Sequence, residues 1–204
     1  MAKEQEFYWR RLHSLLGLIP IGLFLTVHLF INFSATKGAE TFNKFSEGME
    51  SLPFLGIIEW VVIYIPLLFH AIYGVYIAFT AKPNLNRFGT TRNWFFVLQR
   101  FTGIFLVIFI AWHIWQTRLQ KTIADATIDY NLMSDVVTST GMLIFYIVGI
   151  IAATFHLSNG LWSFLVSWGI TQSPKSQKVV TWITMIIFVL LSVVGVMAIL
   201  AFRG

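Results

Sequence analysis

Cysteine is absent from all 204 residues, which excludes disulfides, thiolate zinc sites and cysteine-held iron–sulfur clusters, so any redox centre must use other ligands. Charge is scarce too. Only 11% of the residues are charged and 57% are hydrophobic, whereas a soluble domain carries about a quarter charged residues. The net charge of +5 is spread over loops and helix ends and forms no single basic face, so no nucleic-acid partner is expected. Between the charges stand five apolar runs, 12–33, 57–80, 98–116, 141–168 and 179–202, each of about the 20 residues that cross some 30 Å of hydrocarbon. The sequence therefore predicts an all-α integral membrane protein, one transmembrane unit over 1–204 with five helices.

Arg10 and Arg11 before the first run could suggest a twin-arginine export signal. The run is far longer than the roughly 7–15 apolar residues of a signal core, and four more follow, so a retained helix is expected. Loop charge sets the orientation, because cytoplasmic ends of spans collect Lys and Arg. One side carries nine bases, Lys3, Arg10, Arg11, Lys82, Arg87, Arg92, Arg100, Lys175 and Lys178, against Glu4 and Glu6. The other carries five, Lys37, Lys44, Arg118, Lys121 and Arg203, faced by seven acids. This places the N-terminus in the cytoplasm and the C-terminus outside a bacterial cytoplasmic membrane.

Spans one and two resemble spans three and four. Phe69-His70-x-x-x-Gly74-Val75-Tyr76 matches Phe155-His156-x-x-x-Gly160-Leu161-Trp162; more loosely, Arg11, Gly17 and His28 match Arg100, Gly103 and His113. Both halves run the same way through the membrane, so the repeat is parallel, about an axis along the membrane normal. At ~1.5 Å rise per residue, His28 and His113 sit roughly 26 and 20 Å from the cytoplasmic boundary, and His70 about 18 Å from Lys82. His156 is about as far from its own cytoplasmic end. The repeat thus predicts two levels, each with one histidine from either half: His28 with His113 toward the outside, His70 with His156 toward the cytoplasm.

Two imidazoles facing one another across a bundle suit a planar macrocycle ligated on both faces, and bundles build cofactor sites in this way. Two haem groups, with these four histidines on the irons and the first four helices forming the bundle, are the expectation. Gly17, Gly74, Gly103 and Gly160 would allow close approach. The plainer alternatives are satisfied polar residues at helix contacts, or a histidine proton relay in a transporter. His13 falls at the cytoplasmic boundary without a counterpart, since Phe101 or its neighbours stand where one is expected, and it is read as an interfacial anchor or a contact to a propionate, a quinone or a partner.

Together the stretches Phe7-Tyr8-x-Arg10-Arg11-Leu12-His13-Ser14-Leu15-Leu16-Gly17, Phe69-His70-Ala71-x-Tyr73-Gly74, Leu98-Gln99-Arg100-x-Thr102-Gly103 and Phe155-His156-x-x-Asn159-Gly160-Leu161-Trp162, with His28 and His113, closely resemble the cytochrome b558 anchors of succinate dehydrogenases. The resemblance covers nearly the whole chain. It implies two haem b groups with axial ligands His28, His70, His113 and His156, and a flavoprotein and an iron–sulfur subunit docked on the cytoplasmic side. It further implies electron flow from inner to outer haem and on to menaquinone. Such an anchor is the electron-transfer subunit of an enzyme complex and carries no catalytic residue for succinate. The same carriers run a fumarate reductase in reverse, and cytochrome b subunits of hydrogenases or formate dehydrogenases are the nearest rivals.

Four further residues are candidates. Glu59 and Asn32, near the outer ends of spans two and one, could serve a quinone, whose reduced oxygens must be protonated; for Glu59 the plain alternative is a helix N-terminal acid. Arg11 and Arg100 could pair haem propionates with their planar forks, or snorkel at the interface, where anionic membrane lipid is also a partner. Gln99 stands where related anchors have a histidine before this arginine. Pro20 and Pro66 are expected to kink spans one and two, and span five to pack outside the bundle.

Overall fold

The computed structural model describes residues 3–81 and 89–203, for Lys3 the main chain only. Lys82 and Arg87, two of the bases that set the expected orientation, lie outside the described residues. In chain order the elements are α1 (Lys3–Leu18), α2 (Pro20–Phe33), a 3-10 turn (Ser34–Lys37), α3 (Ala39–Glu50), α4 (Leu55–Ile58), a π-helical segment (Glu59–Tyr64) and α5 (Ile65–Thr80). Then come α6 (Thr91–Gln116), α7 (Arg118–Ala124), α8 (Tyr130–Val136), α9 (Thr140–Ser167) and α10 (Pro174–Ala201). Among the described residues, five helical stretches are long and apolar enough to cross a membrane: Glu4–Lys37, Leu55–Thr80, Thr91–Ala124, Thr140–Ser167 and Pro174–Ala201. The first and third run several residues beyond their apolar runs at both ends.

Local chemistry sets these boundaries. Thr90, Ser139 and Ser173 accept hydrogen bonds from the main-chain N–H three residues on and so cap α6, α9 and α10, each cap contributing about 1 kcal/mol. Helix α9 stops at Gly169, whose φ of +73° belongs to the left-handed region that costs glycine nothing; the Ile170 N–H then reaches back to the Leu165 carbonyl at 2.9 Å, the 6→1 bond of a Schellman stop. Both prolines stand where regular α-helix is lost. Pro20 cannot donate, and span one is interrupted at Ile19 between α1 and α2. Pro66 opens the regular part of α5, and the turns before it widen into the π-helical segment, a common relaxation where the i→i+4 ladder is broken.

Helices α1, α2, α5, α6 and α9 surround a common interior, and α10 lies outside it against α9 and α2. Small residues bring these helices together. A Cβ at Gly149 would overlap the ring of Phe109 on α6, and Gly195 of α10 admits the side chains of Ile150 and Leu29. Thr154 of α9 and Ser192 of α10 share a 2.7 Å hydrogen bond. Many other apolar side chains face outward, among them Leu23, Phe30, Ile72, Ile108, Ile186 and Leu190; on a soluble protein so large an apolar surface would be a liability, and in lipid it is the solvated state.

At the end remote from the N-terminus, α3, α7 and α8 form a cap. Phe42, Val137 and Phe202 are buried together, each contributing about 1.5–3 kcal/mol of apolar burial. The Tyr130 hydroxyl donates to the Ala201 carbonyl at 2.5 Å, and the Ser46 hydroxyl to the Ile128 carbonyl at 2.6 Å. This end is built like a small soluble core, in contrast to the open, lipid-facing middle.

Candidate functional site: two imidazole pairs in the bundle

The four span histidines meet in two pairs at two levels. His70 and His156 face each other nearer the N-terminal end, with ring centroids 6.1 Å apart and planes at 84°. This is the proximal pair. His28 and His113 face each other nearer the cap, 5.8 Å apart and at 75°. This is the distal pair. Each joins one histidine of the first two spans to one of the next two, the partnership expected from direction and depth.

Hydrogen bonds orient the rings. In the proximal pair, Nδ1 of His70 lies 3.0 Å from the His13 carbonyl and Nδ1 of His156 lies 3.1 Å from the Gln99 carbonyl. Carbonyls only accept, so each Nδ1 carries the proton and each Nε2 keeps a free lone pair, the tautomer of a metal-ligating imidazole. The Thr102 hydroxyl approaches Nδ1 of His156 as well, at 3.2 Å. In the distal pair, Nδ1 of His113 meets the Tyr146 hydroxyl at 3.3 Å, and that hydroxyl donates to Oε1 of Gln116 at 3.1 Å. Asn32 folds back on its own helix, donating to the His28 carbonyl at 2.8 Å and lying 3.4 Å from Nε2 of His28.

Glycines make room for the rings. A Cβ on Gly17 would overlap the imidazole of His70, and one on Gly103 would stand 3.1 Å from Cε1 of His156. Two of the four glycines expected to allow close approach, Gly17 and Gly103, therefore lie against the paired histidines themselves.

His13 departs from expectation. Its ring stacks on His70 at 4.0 Å and 7°, and its Nε2 is buried without a hydrogen-bond partner. It also has a counterpart. The shift of 86 positions that carries Gly17 onto Gly103 and His70 onto His156 carries His13 onto Gln99, two residues before the position around Phe101 expected for it, and each of the two lends its carbonyl to the imidazole of its own half. His28 and His113 are 85 positions apart, and this one-residue slip accompanies the break at Pro20, for which α6 has no equivalent.

The two arginines proposed for propionates share one feature: Nε of Arg11 and Nε of Arg100 are both buried without a partner. Arg11 lies over Phe7 at 4.4 Å and Trp168 at 4.9 Å, and Arg100 over Phe96 at 3.4 Å. Glu59 is engaged otherwise. It sits in the π-helical segment and pairs with Arg118 at 2.7 Å; Arg118 also pairs with Glu50 at 2.8 Å, and Glu50 with Lys121. This network ties α3 and α7 to the second span. Tyr146 and Gln116 were not expected at the site: Tyr146 has no counterpart in the repeat, and only the fold aims it at His113.

The family model described as "Succinate dehydrogenase/Fumarate reductase transmembrane subunit" matches residues 80–194. The chain is also 53% identical, over 202 residues that make up 99% of it and 100% of the relative, to the protein named succinate dehydrogenase cytochrome b558 subunit of Bacillus subtilis (strain 168). The chain belongs to the succinate dehydrogenase/fumarate reductase transmembrane subunit family. That fits a multi-pass membrane subunit whose polar content converges on two histidine pairs. The matched segment contains His113 and His156, one member of each pair, while the near-complete alignment with the relative spans all four.

Proposed function

We propose that this anchor is the di-haem cytochrome b of a succinate dehydrogenase complex, with His70 and His156 as axial ligands of an inner haem b and His28 and His113 as those of an outer one. When bound, haem b supplies a one-electron carrier at each level, so that electrons from succinate reach menaquinone by way of an iron–sulfur subunit and the anchor. The single observation that carries this is the pair geometry. At two levels of the bundle an imidazole of one half faces an imidazole of the other, with ring centroids 5.8 and 6.1 Å apart. Two imidazoles are too few for a bare ion, and among the described residues no three His, Cys, Asp or Glu are placed to hold one. A macrocycle that brings four nitrogens of its own resolves this shortage.

The chain's own residues have distinct tasks. His13 and Gln99 hold the inner ligands in the Nε2-free tautomer, and Tyr146 holds His113. The buried free Nε atoms of Arg11 and Arg100 suit carboxylates arriving with the macrocycle. Glu59 and Asn32 remain quinone-site candidates, with Glu59 held by Arg118 until a quinone competes for it. The N-terminus lies in the cytoplasm, where α1 exposes Phe7, Tyr8 and Trp9 to the flavoprotein–iron–sulfur pair. An electron moving outward travels toward the positive side, a gain of about 2.3 kcal/mol per 100 mV for the full crossing, which favours succinate oxidation over its reverse.

A reduced-minus-oxidised spectrum of the purified complex tests the assignment. A b-type spectrum with two components is expected, one lost on replacing His70 or His156 and the other on replacing His28 or His113. A complex without haem absorption, or one in which all four variants lose the same component, overturns it. In sealed vesicles, collapse of the membrane potential should slow succinate-to-menaquinone transfer.

A further inference from the structure

The proximal pair is built twice from one four-residue pattern: a residue whose carbonyl accepts from the ligand's Nδ1, a glycine four positions on, the ligand, and a glycine four positions beyond it. In the first half these are His13, Gly17, His70 and Gly74; in the second, Gln99, Gly103, His156 and Gly160. Each member does the same job in its half. The first glycine admits the imidazole, and the second faces the side chain of the carbonyl-bearing residue, with a Cβ at Gly74 standing 3.1 Å from Nε2 of His13 and one at Gly160 standing 3.5 Å from Nε2 of Gln99.

The two carbonyl-bearing residues differ in how they are braced. The Gln99 amide donates to the His156 carbonyl at 3.0 Å and accepts from Nδ2 of Asn159 at 2.9 Å. Asn159 is in turn held by Arg92 at 3.3 Å, which lies over Trp162 at 3.9 Å and donates to Thr181 at 2.8 Å. His13 instead lies flat on the ring of His70, and its Nε2 is buried without a hydrogen-bond partner among the described residues.

From this we propose that His13 and Gln99 are the paired positioning residues of the proximal site, each fixing the Nδ1 hydrogen bond and ring plane of its own half's ligand, Gln99 through an amide network and His13 through ring stacking. The inference rests on the haem reading above. An Nδ1–H bond to a carbonyl raises the basicity of the ligating nitrogen and fixes the ring plane, and stacking favours a flat ring of any polarity. His13 therefore acts through its flat ring, and its unpartnered Nε2 is not required.

Low-temperature electron paramagnetic resonance and redox titration of the intact complex carry the test, because the angle between two axial imidazole planes sets the anisotropy of a ferric low-spin signal. At 84° the inner signal is strongly anisotropic. His13→Ala should keep both haems, lower the anisotropy of the inner signal and shift the inner midpoint upward, leaving the outer signal unmoved. His13→Phe, which keeps a flat ring, should restore the parent anisotropy. Gln99→Ala should disturb the same signal from the opposite ligand. An inner signal and midpoint unchanged in His13→Ala and Gln99→Ala overturns the proposal. So does conversion of the inner haem to high spin in His13→Phe, which would make His13 a ligand. If His13→Ala does not assemble, the Phe variant decides, with a parent-like inner signal expected and a displaced one counting against stacking. A wild-type complex without a b-type spectrum sinks the haem reading instead, and the two failures are thereby distinct.

Discussion

The proximal and distal pairs are alike in spacing and crossed ring planes but differ in what holds them. His70 and His156 are gripped by main-chain carbonyls of α1 and α6, groups that a substitution can shift but not delete. His113 is gripped by the Tyr146 hydroxyl, which one substitution deletes. The proximal pair also lies against glycines, whereas the distal pair lies among aromatic rings, with Phe24 beside His28 and Phe109 stacked along His113. A site held by backbone resists loss of hydrogen bonds but tolerates no added volume. One held by side chains is tuned more easily.

The largest effect expected from this contrast is steric. Gly17→Val should eliminate the inner spectral component and leave the outer, because even the first added carbon overlaps the His70 ring; Gly103→Ala, with its Cβ at 3.1 Å, should only broaden or shift that component. Equal losses in the two variants would show that the halves pack alike once haem is present. Next comes Gly149→Ala in the wall beside Phe109. Overpacking of this kind costs about 1–3 kcal/mol, and a lower midpoint for heat-induced haem release from the extracted complex, with spectra otherwise normal, is the expected reading.

A smaller effect should follow Tyr146→Phe, which removes a hydrogen bond of about 1 kcal/mol. The outer midpoint should rise while the inner stays, as followed by redox titration; movement of the inner midpoint alone would reverse the assignment of the pairs. The smallest effect is expected at the cap. Arg118 and Glu59 are partly exposed, at 23% and 18%, and such a pair contributes at most about 1 kcal/mol. A double-mutant cycle with Arg118→Gln and Glu59→Gln should give a coupling of that size in thermal stability, declining with salt. If Glu59→Gln slows menaquinone reduction far more than it lowers stability, Glu59 serves the quinone as well as the cap.

Apolar runs and direction of crossing were enough to foresee five spans and the partnership of the four histidines, since both follow from counting residues along helices of known rise. Loop charge similarly yields an orientation, which the fold itself does not test. Hydrogen-bond partners were not legible. That Gln99 answers His13 is hidden by their difference in residue type, although a strict 86-position shift displays it; that Tyr146 reaches His113 has no signal in the sequence, because the two lie on different helices. In the sequence Glu59 reads as a quinone-site candidate or a helix N-terminal acid, and its engagement by Arg118 depends on how α7 folds back after Thr117.

By itself, then, the sequence determined the membrane architecture, the absence of thiolate chemistry and the two levels of imidazole, because hydrophobic length, composition and helical rise are local properties. Only the tertiary structure decided which nitrogen of each ring is free, which residues stand behind the ligands and why Gly17 and Gly103 must lack side chains. Those depend on distances between helices, set by small residues and proline breaks acting together across the bundle, and no single stretch of chain contains them.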